Sequence, residues 1–172
     1  MTNQELINKY KELGIGQEKY IDKNYKRPDK DPYFLKIAYE ISHRSHDSTT
    51  QHGCCIVKDG RIISTGYNGF PPGLPDELIP NNRLDGLKYK FICHAEKNAI
   101  YNAAKEGICL QNSVIYITGI PCSDCSKALV AVGIKKWIIG DKEYIADEQE
   151  KLLRNFWVDV FDVKIQHIKG IT

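Results

Sequence analysis

Three soft metal ligands place the tightest constraint on how this chain can fold. His94 stands in His94-Ala95-Glu96, and two cysteines follow in Pro121-Cys122-Ser123-Asp124-Cys125. One imidazole and two thiolates suit a borderline-soft ion, zinc above all. Each group opens a stretch that favours helix: Ala95 to Ala104, ending near Gly107, and Cys122 to Val132, closed by Gly133. On a helix, Cys122 and Cys125 lie one turn apart and share a face. In the first helical turn, unsatisfied N–H groups and the helix dipole favour thiolate. Using all three ligands together requires two helix N-termini to converge on one ion.

The rest of the chain supplies a scaffold for that convergence. A weak helical pattern runs from Gln4 to Leu13, and Ile15 to Lys30 reads as irregular. Asp31-Pro32 then looks like an N-cap and first helical residue, opening a helix that reaches about Arg44 with Phe34, Leu35, Ala38 and Ile41 on one side. Two apolar runs, Cys54 to Val57 and Arg61 to Tyr67, flank Asp59-Gly60 and predict a β-hairpin. Asn68 to Ile92 carries four prolines and several glycines, a long loop of the kind that more often serves function. Ser113 to Thr118 and Lys136 to Gly140 read as strands, Asp147 to Phe156 as a helix, and Trp157 to Val163 as a last strand. Helix, hairpin, then alternating strands and helices implies an α/β fold with a mixed sheet covered on both faces. Residues 1–30 are expected to be an N-terminal extension and residues 31–172 one domain.

Composition narrows the function classes. The chain has 172 residues, with 42% hydrophobic and 27% charged, and a net charge of only +2, so no strong field for nucleic acid is expected. No apolar run approaches the ~18 to 20 residues needed to cross a bilayer, so no membrane partner is expected. The polar start MTNQELINKYKELG lacks the apolar core of a secretory signal, which makes a cytoplasmic location the default. Six cysteines in such a setting point to metal binding, catalysis or burial rather than disulfides.

The number of ligands bears on the role of the site. Structural zinc sites close with four protein ligands, whereas catalytic sites keep one position for water. Three are visible here, and Glu96 lies where a carboxylate can take a proton from an attacking water and pass it on. A redox Cys-x-x-Cys pair would leave His94 and Glu96 without a role. A zinc ribbon needs a second pair, which Cys54, Cys55, Cys93 and Cys109 do not supply at the usual spacing. Catalytic zinc is therefore expected, with structural zinc and a redox pair as the alternatives.

His-x-Glu followed by Pro-Cys-x-x-Cys is the motif of the zinc nucleobase deaminases. From about Pro32 to Val163 the chain resembles the cytidine deaminase-like superfamily and, within it, the deoxycytidylate deaminases. The resemblance rests on His46-Asp47-Ser48-Thr49-Thr50-Gln51, Gly66-Tyr67-Asn68-Gly69-Phe70-Pro71, Cys93-His94-Ala95-Glu96-Lys97-Asn98-Ala99-Ile100 and Pro121-Cys122-Ser123-Asp124-Cys125. It implies a three-layer α/β/α cytidine deaminase-like fold with a central mixed sheet of about five strands. It also implies hydrolysis of dCMP to dUMP and ammonia, supplying dUMP for dTMP synthesis. Zinc would be held by His94, Cys122 and Cys125, with Glu96 as proton shuttle, and Asn68 and Ala95 would contact the substrate. Gly66, Tyr67, Asn68 and Gly69 match a loop associated with an allosteric nucleotide site between subunits. Relatives of this kind are commonly homohexamers, activated by dCTP and inhibited by dTTP, with Mg2+ as a companion of the nucleotide effector. Other deaminase substrates (another nucleoside, a free base, tRNA adenosine) and a non-catalytic zinc domain are the rival readings.

For the 5′-phosphate, Arg44, Ser45, Thr50 and Lys97 are available. Arginine's planar fork suits phosphate, although Arg44 equally suits a solvated helix end. Tyr67 could stack on a base or simply pack. His52 stands where the family usually has a small apolar residue, either as a satisfied core histidine, a surface one, or a group touching ligand. Gly73 to Tyr89 contains no cysteine or histidine, so a second, structural zinc is not expected. Cys54, Cys55 and Cys109 are expected to be small core residues.

Overall fold

The computed structural model describes residues 1–15, 24–47, 49–75, 78, 88–143 and 146–171. Its helices are Asn3–Glu12 (α1), Lys30–Ser42 (α2), Lys88–Phe91 (α3), Ala95–Lys105 (α4), Ser123–Ala131 (α5) and Glu148–Val160 (α6). Its strands are Gly53–Lys58 (β1), Arg61–Tyr67 (β2), Val114–Gly119 (β3), Lys136–Lys142 (β4) and Lys164–His167 (β5). They form one sheet in the order β2-β1-β3-β4-β5. β1 is antiparallel to both β2 and β3, while β3, β4 and β5 run parallel, so the sheet is mixed as expected. The Asp59-Gly60 hairpin has positive φ at both residues, 51° and 76°, the mirror-image turn whose twist matches that of its strands.

Alternation along the strands divides the core in two. Cys55, Val57, Tyr116 and Ile138 face Phe34, Leu35, Ala38 and Tyr39 of α2. Their neighbours Cys54, Ile56, Ile115, Ile117, Trp137 and Ile139 face Ala95, Ala99 and Ala103 of α4 together with Leu129 and Val130 of α5. Neighbouring strand residues point to opposite faces, so one hydrophobic run in β1 serves both layers. The result is α2 on one face and α4, α5 and α6 on the other.

Helix α4 is fixed on the edge strand β2 by small residues and hydrogen bonds. A Cβ on Gly66 would lie 2.2 Å from the Ala95 carbonyl oxygen and 2.5 Å from the Ala99 nitrogen, so only glycine permits the approach. Asn98 donates to the Tyr67 carbonyl at 2.8 Å and Asn102 to the Thr65 carbonyl at 2.8 Å. Ser64 donates to the Ala99 carbonyl at 2.6 Å. These contacts occupy edge-strand acceptors and set the position of the α4 N-terminus.

Three expectations change. The first confident helix begins at Lys30 with Asp29 as N-cap, not Asp31. Asp31 instead accepts a 2.7 Å hydrogen bond from the Tyr116 hydroxyl, and Pro32 still sits in the first turn, where its missing N–H costs nothing. Trp157 to Val163 is not a strand. Helix α6 continues to Val160 because Trp157, Val158 and Phe161 reach the core from one helical face, and the strand follows at Lys164–His167. Cys109 is exposed, since its neighbour Leu110 takes the buried position after α4, whereas Cys54 and Cys55 are core residues. Helix α1 buries none of its side chains.

Gly66→Ala is expected to lower stability by about 1–3 kcal/mol through overpacking of α4 against β2. Urea denaturation of the purified variant beside the parent protein measures it.

Candidate active site

The N-termini of α4 and α5 meet at the carboxyl end of β3. His94 is the N-cap of α4, with φ −69° and ψ 158°, yet its side chain makes no capping bond. Cys122 is the N-cap of α5, and its sulfur accepts from the Cys125 N–H at 3.4 Å. His94 Nδ1 lies 3.4 Å from Cys122 Sγ and 3.5 Å from Cys125 Sγ. A tetrahedral zinc ion with ordinary Zn–S and Zn–N bonds requires an S···N separation of about 3.5 Å. The three donors lie within 4.8 Å of one another, so residues and spacing fit zinc. Among the described residues no all-carboxylate group of the kind magnesium prefers is assembled.

The donors are electrostatically prepared. Hydrogen bonding from Cys125 and from His94 holds the Cys122 thiol down at about 4 despite burial. Cys125 moves the opposite way, because it donates to Cys122 and is buried. His94 is raised by its bond to Cys122. The cluster thus combines a thiolate with protonated neighbours, and a metal ion would displace their protons. Beside them Glu96 is buried, 6% exposed, and burial raises its carboxyl above the usual range although His94 pulls it down. A carboxyl raised in this way binds its proton more tightly than an exposed one does, which suits a general acid and base.

Two braces fix the helix ends. Lys97 of α4 is ion-paired with Asp124 of α5, and Lys127 reaches the same carboxylate at 2.9 Å. Glu150 of α6 accepts from the Ser123 backbone N–H and from its hydroxyl, the latter at 2.7 Å, and so caps α5 next to Cys122. Lys97 is therefore engaged in structure rather than turned to the cavity.

In front of the donors opens a cavity of about 340 Å³, whose walls include Ala95, Glu96, Asn68, Thr50 and His52, with Ile92 and Ile120 as apolar sides and Tyr89 and Glu143 also on its wall. Asn68 is buried and bonded at both ends of its amide: it accepts from the His52 N–H and donates to the Thr50 carbonyl, each at 2.7 Å. Ser45 is also buried, but its hydroxyl donates to the Asn68 carbonyl at 2.6 Å and does not line the cavity. Arg44 is exposed and outside the wall. Of Gly66, Tyr67, Asn68 and Gly69, only Asn68 reaches the cavity. Gly66 serves packing, Tyr67 lies against Gly69, and Gly69 forms a bridge with Cys93 that ties the loop to the residue before His94.

Sequence reasoning missed one wall. Asp47 and Lys88 form an ion pair of 2.8 Å with side chains only 7% and 3% exposed. Burial alone would raise the Asp47 carboxyl, but Lys88 and the Thr49 and Thr50 donors hold it well below the usual range. The pair joins the segment after α2 to α3, forty-one residues apart in the chain, and no local sequence pattern marks it.

Comparison with known proteins agrees with this geometry. The pattern of the cytidine and deoxycytidylate deaminase zinc-binding region matches residues 28–141. The chain belongs to that deaminase family. A mouse deoxycytidylate deaminase is 37% identical over 128 residues, covering 71% of this chain and 70% of the mouse protein. The human deoxycytidylate deaminase is 38% identical over 123 residues, covering 67% of each. Among solved structures, the dCMP deaminase of the cyanophage S-TIM5, in complex with dCMP and dUMP, superposes with a TM-score of 0.69 at 27% identity, covering 84% of this chain and all of that one. As in a cytidine deaminase-like fold, the ligand-bearing helices connect strands of one mixed five-stranded sheet, α4 lying between β2 and β3 and α5 between β3 and β4 in the chain.

Removing Lys88 takes the ammonium from beside a buried carboxylate, so Lys88→Met is expected to cost about 3 kcal/mol. Because Asp47 is lowered in the folded state, its contribution is present above the ordinary carboxylate range near about 4 and fades as pH falls below it. Thermal melts from neutral to acid pH check this: Asp47→Asn should melt lower at neutral pH and lose less on acidification.

Proposed function

We propose that this deaminase is a zinc-dependent hydrolase that converts dCMP to dUMP and ammonia. The observation that carries the reading is the three-donor cluster of His94, Cys122 and Cys125 with the buried Glu96 beside it, opening on a cavity of nucleoside size. The deoxycytidylate deaminases among its relatives support dCMP as the substrate. Zinc, held by His94, Cys122 and Cys125, would supply the Lewis acidity that makes water nucleophilic near neutral pH.

The chain's own residues do the rest. Water adds to C4 of the cytosine ring, and Glu96 takes its proton and delivers it to N3. Glu96 then carries a second proton to the exocyclic amine, the C4–N bond breaks, and ammonia leaves with the ring now a uracil. Burial of Glu96 suits this exchange, because a carboxyl that is readily protonated gives up and regains its proton at small cost. Ile92 and Ile120 exclude water from the ring, and the Asn68 network with Thr50 fixes the cavity wall on which the sugar rests. Ala95, between ligand and shuttle, offers its backbone to the base.

The same reading places the enzyme in the cytoplasm as a homohexamer. There dCTP, with Mg2+, would activate and dTTP inhibit through the Gly66-Tyr67-Asn68-Gly69 loop. That loop is bridged through Cys93 to His94, so a ligand on it has a direct mechanical route to the site. Arg44, exposed at the end of α2, is available to a phosphate only from outside the cavity wall.

Glu96→Gln is expected to retain zinc and lose about 10²- to 10⁴-fold in kcat, the usual worth of a general acid–base group. Cys125→Ser is expected to lose zinc. Ammonia release from dCMP, deoxycytidine, CMP, cytosine and adenosine, with metal content by elemental analysis, tests both. Turnover of dCMP far above the others is the expected result; turnover of adenosine instead would assign a different substrate.

A further inference from the structure

An irregular register places one lysine behind the cavity wall. β3 and β4 run in step from Val114 and Lys136 to Ile117 and Ile139, and then Gly119 faces Lys142. Gly140 and Asp141 of β4 thus stand against Thr118 alone, an irregularity that bends a strand and re-aims the side chains beyond it. The Tyr39 hydroxyl of α2 fixes this point by donating to the Asp141 carboxylate and accepting the Asp141 N–H at 3.0 Å. The Gly170 N–H donates to the same carboxylate at 3.0 Å. Gly119 admits the close approach, since a Cβ there would lie 2.4 Å from the Lys142 carbonyl oxygen and 3.0 Å from Cε1 of His52.

The Lys142 side chain turns towards α2 and ends among neutral groups. Its Nζ donates to the Ser42 hydroxyl at 3.0 Å and to the Gln51 carbonyl, and stands 5.5 Å from the centre of the Tyr39 ring. Ser42 is fully buried and gives its own O–H to the Tyr39 carbonyl at 2.6 Å. Lys142 is half-buried, and burial pushes its pKa down from the usual lysine value. A partly desolvated cation held by neutral acceptors is costly if stability is its only return. The Gln51 carbonyl belongs to the peptide unit whose N–H, on His52, donates to the Asn68 side-chain oxygen at 2.7 Å. The Asn68 amide nitrogen in turn donates to the Thr50 carbonyl at 2.7 Å. A charge at one end of such an amide chain strengthens the bonds further along it. Thr50, His52 and Asn68 all line the cavity, so Lys142 grips from behind the peptide that links them.

We propose that Lys142 is a positioning residue for the deamination: through the Gln51 carbonyl it holds the Thr50–His52 segment and the Asn68 amide in the orientation that receives the sugar of the nucleotide. This rests on the dCMP reading above. The sugar does not react, so its wall serves the ground state and the transition state alike. Loss of Lys142 is therefore read in KM rather than in kcat.

Steady-state kinetics on dCMP with zinc-loaded protein, beside the amide resonances of isotope-labelled protein, test the proposal. K142M should raise KM about three- to tenfold, the usual worth of one hydrogen bond, while kcat and zinc content hold. In that variant the His52 amide proton should move upfield as its bond to Asn68 weakens. K142R, which keeps a cationic donor, should recover most of both changes. Should K142M fail to fold, K142Q, which keeps a neutral donor, should show the same changes at smaller size. A folded variant lacking the cation, with KM and the His52 amide as in the wild type, would overturn the role of Lys142 alone. A fall in kcat at unchanged KM would overturn it too, since that is the mark of lost active protein. Failure of the wild type to turn over dCMP would overturn the substrate reading and this proposal with it.

Discussion

Two helices aim their N-termini at one point, and that arrangement is unfavourable unless something negative lies between them. Each terminus carries about half a positive charge and a set of unsatisfied N–H groups. Cys122 accepts one of these N–H groups directly, and the Cys125 side chain, His94 and that N–H together hold its thiol low. Asp124 and Glu150 add negative charge at α5, the first tied to Lys97 on α4 and the second reaching across from α6. A divalent ion held by two thiolates is then accommodated, because the cluster supplies the charge that the helix ends and the ion both need. The rest of the fold exists to hold these ends still: α4 is zipped to β2 at Gly66, and α5 is the crossover between β3 and β4.

The cavity wall facing the donors is built on a different economy. Part of its polar lining is buried and bonded before any ligand arrives, through Asn68 and through the Asp47–Lys88 pair. Such a wall needs little reorganisation on binding, which favours a transition state over a flexible ground-state grip. His52 also lines the wall, with Nδ1 3.3 Å from the Thr118 hydroxyl oxygen, while Tyr89 and Glu143 on the same wall are exposed.

Much of this was legible in the sequence because ligand chemistry and helix starts coincide at His94 and at Cys122. The hairpin was legible for a similar reason: Asp59-Gly60 permits few other turns. What stayed hidden falls into two kinds. Trp157 to Val163 carries apolar residues that satisfy both a two-residue and a helical period, and packing of Trp157, Val158 and Phe161 on the core decided for helix. Lys88 with Asp47, Lys97 with Asp124, and Glu150 with Ser123 are contacts between distant segments, and no local pattern announces a partner thirty or forty residues away. Arg44 and Ser45 looked suited to phosphate by chemistry alone; the turn after α2 leaves one exposed and spends the other on Asn68.

X-ray absorption at the zinc edge of the purified protein tests the central claim, a three-ligand site with one open position, most directly. The expected spectrum has two sulfur neighbours at about 2.3 Å and two lighter neighbours at about 2.0 Å, one of them exchangeable solvent. Four sulfur or nitrogen donors from the protein, with no exchangeable neighbour, would make the site structural and contradict a catalytic role for Glu96.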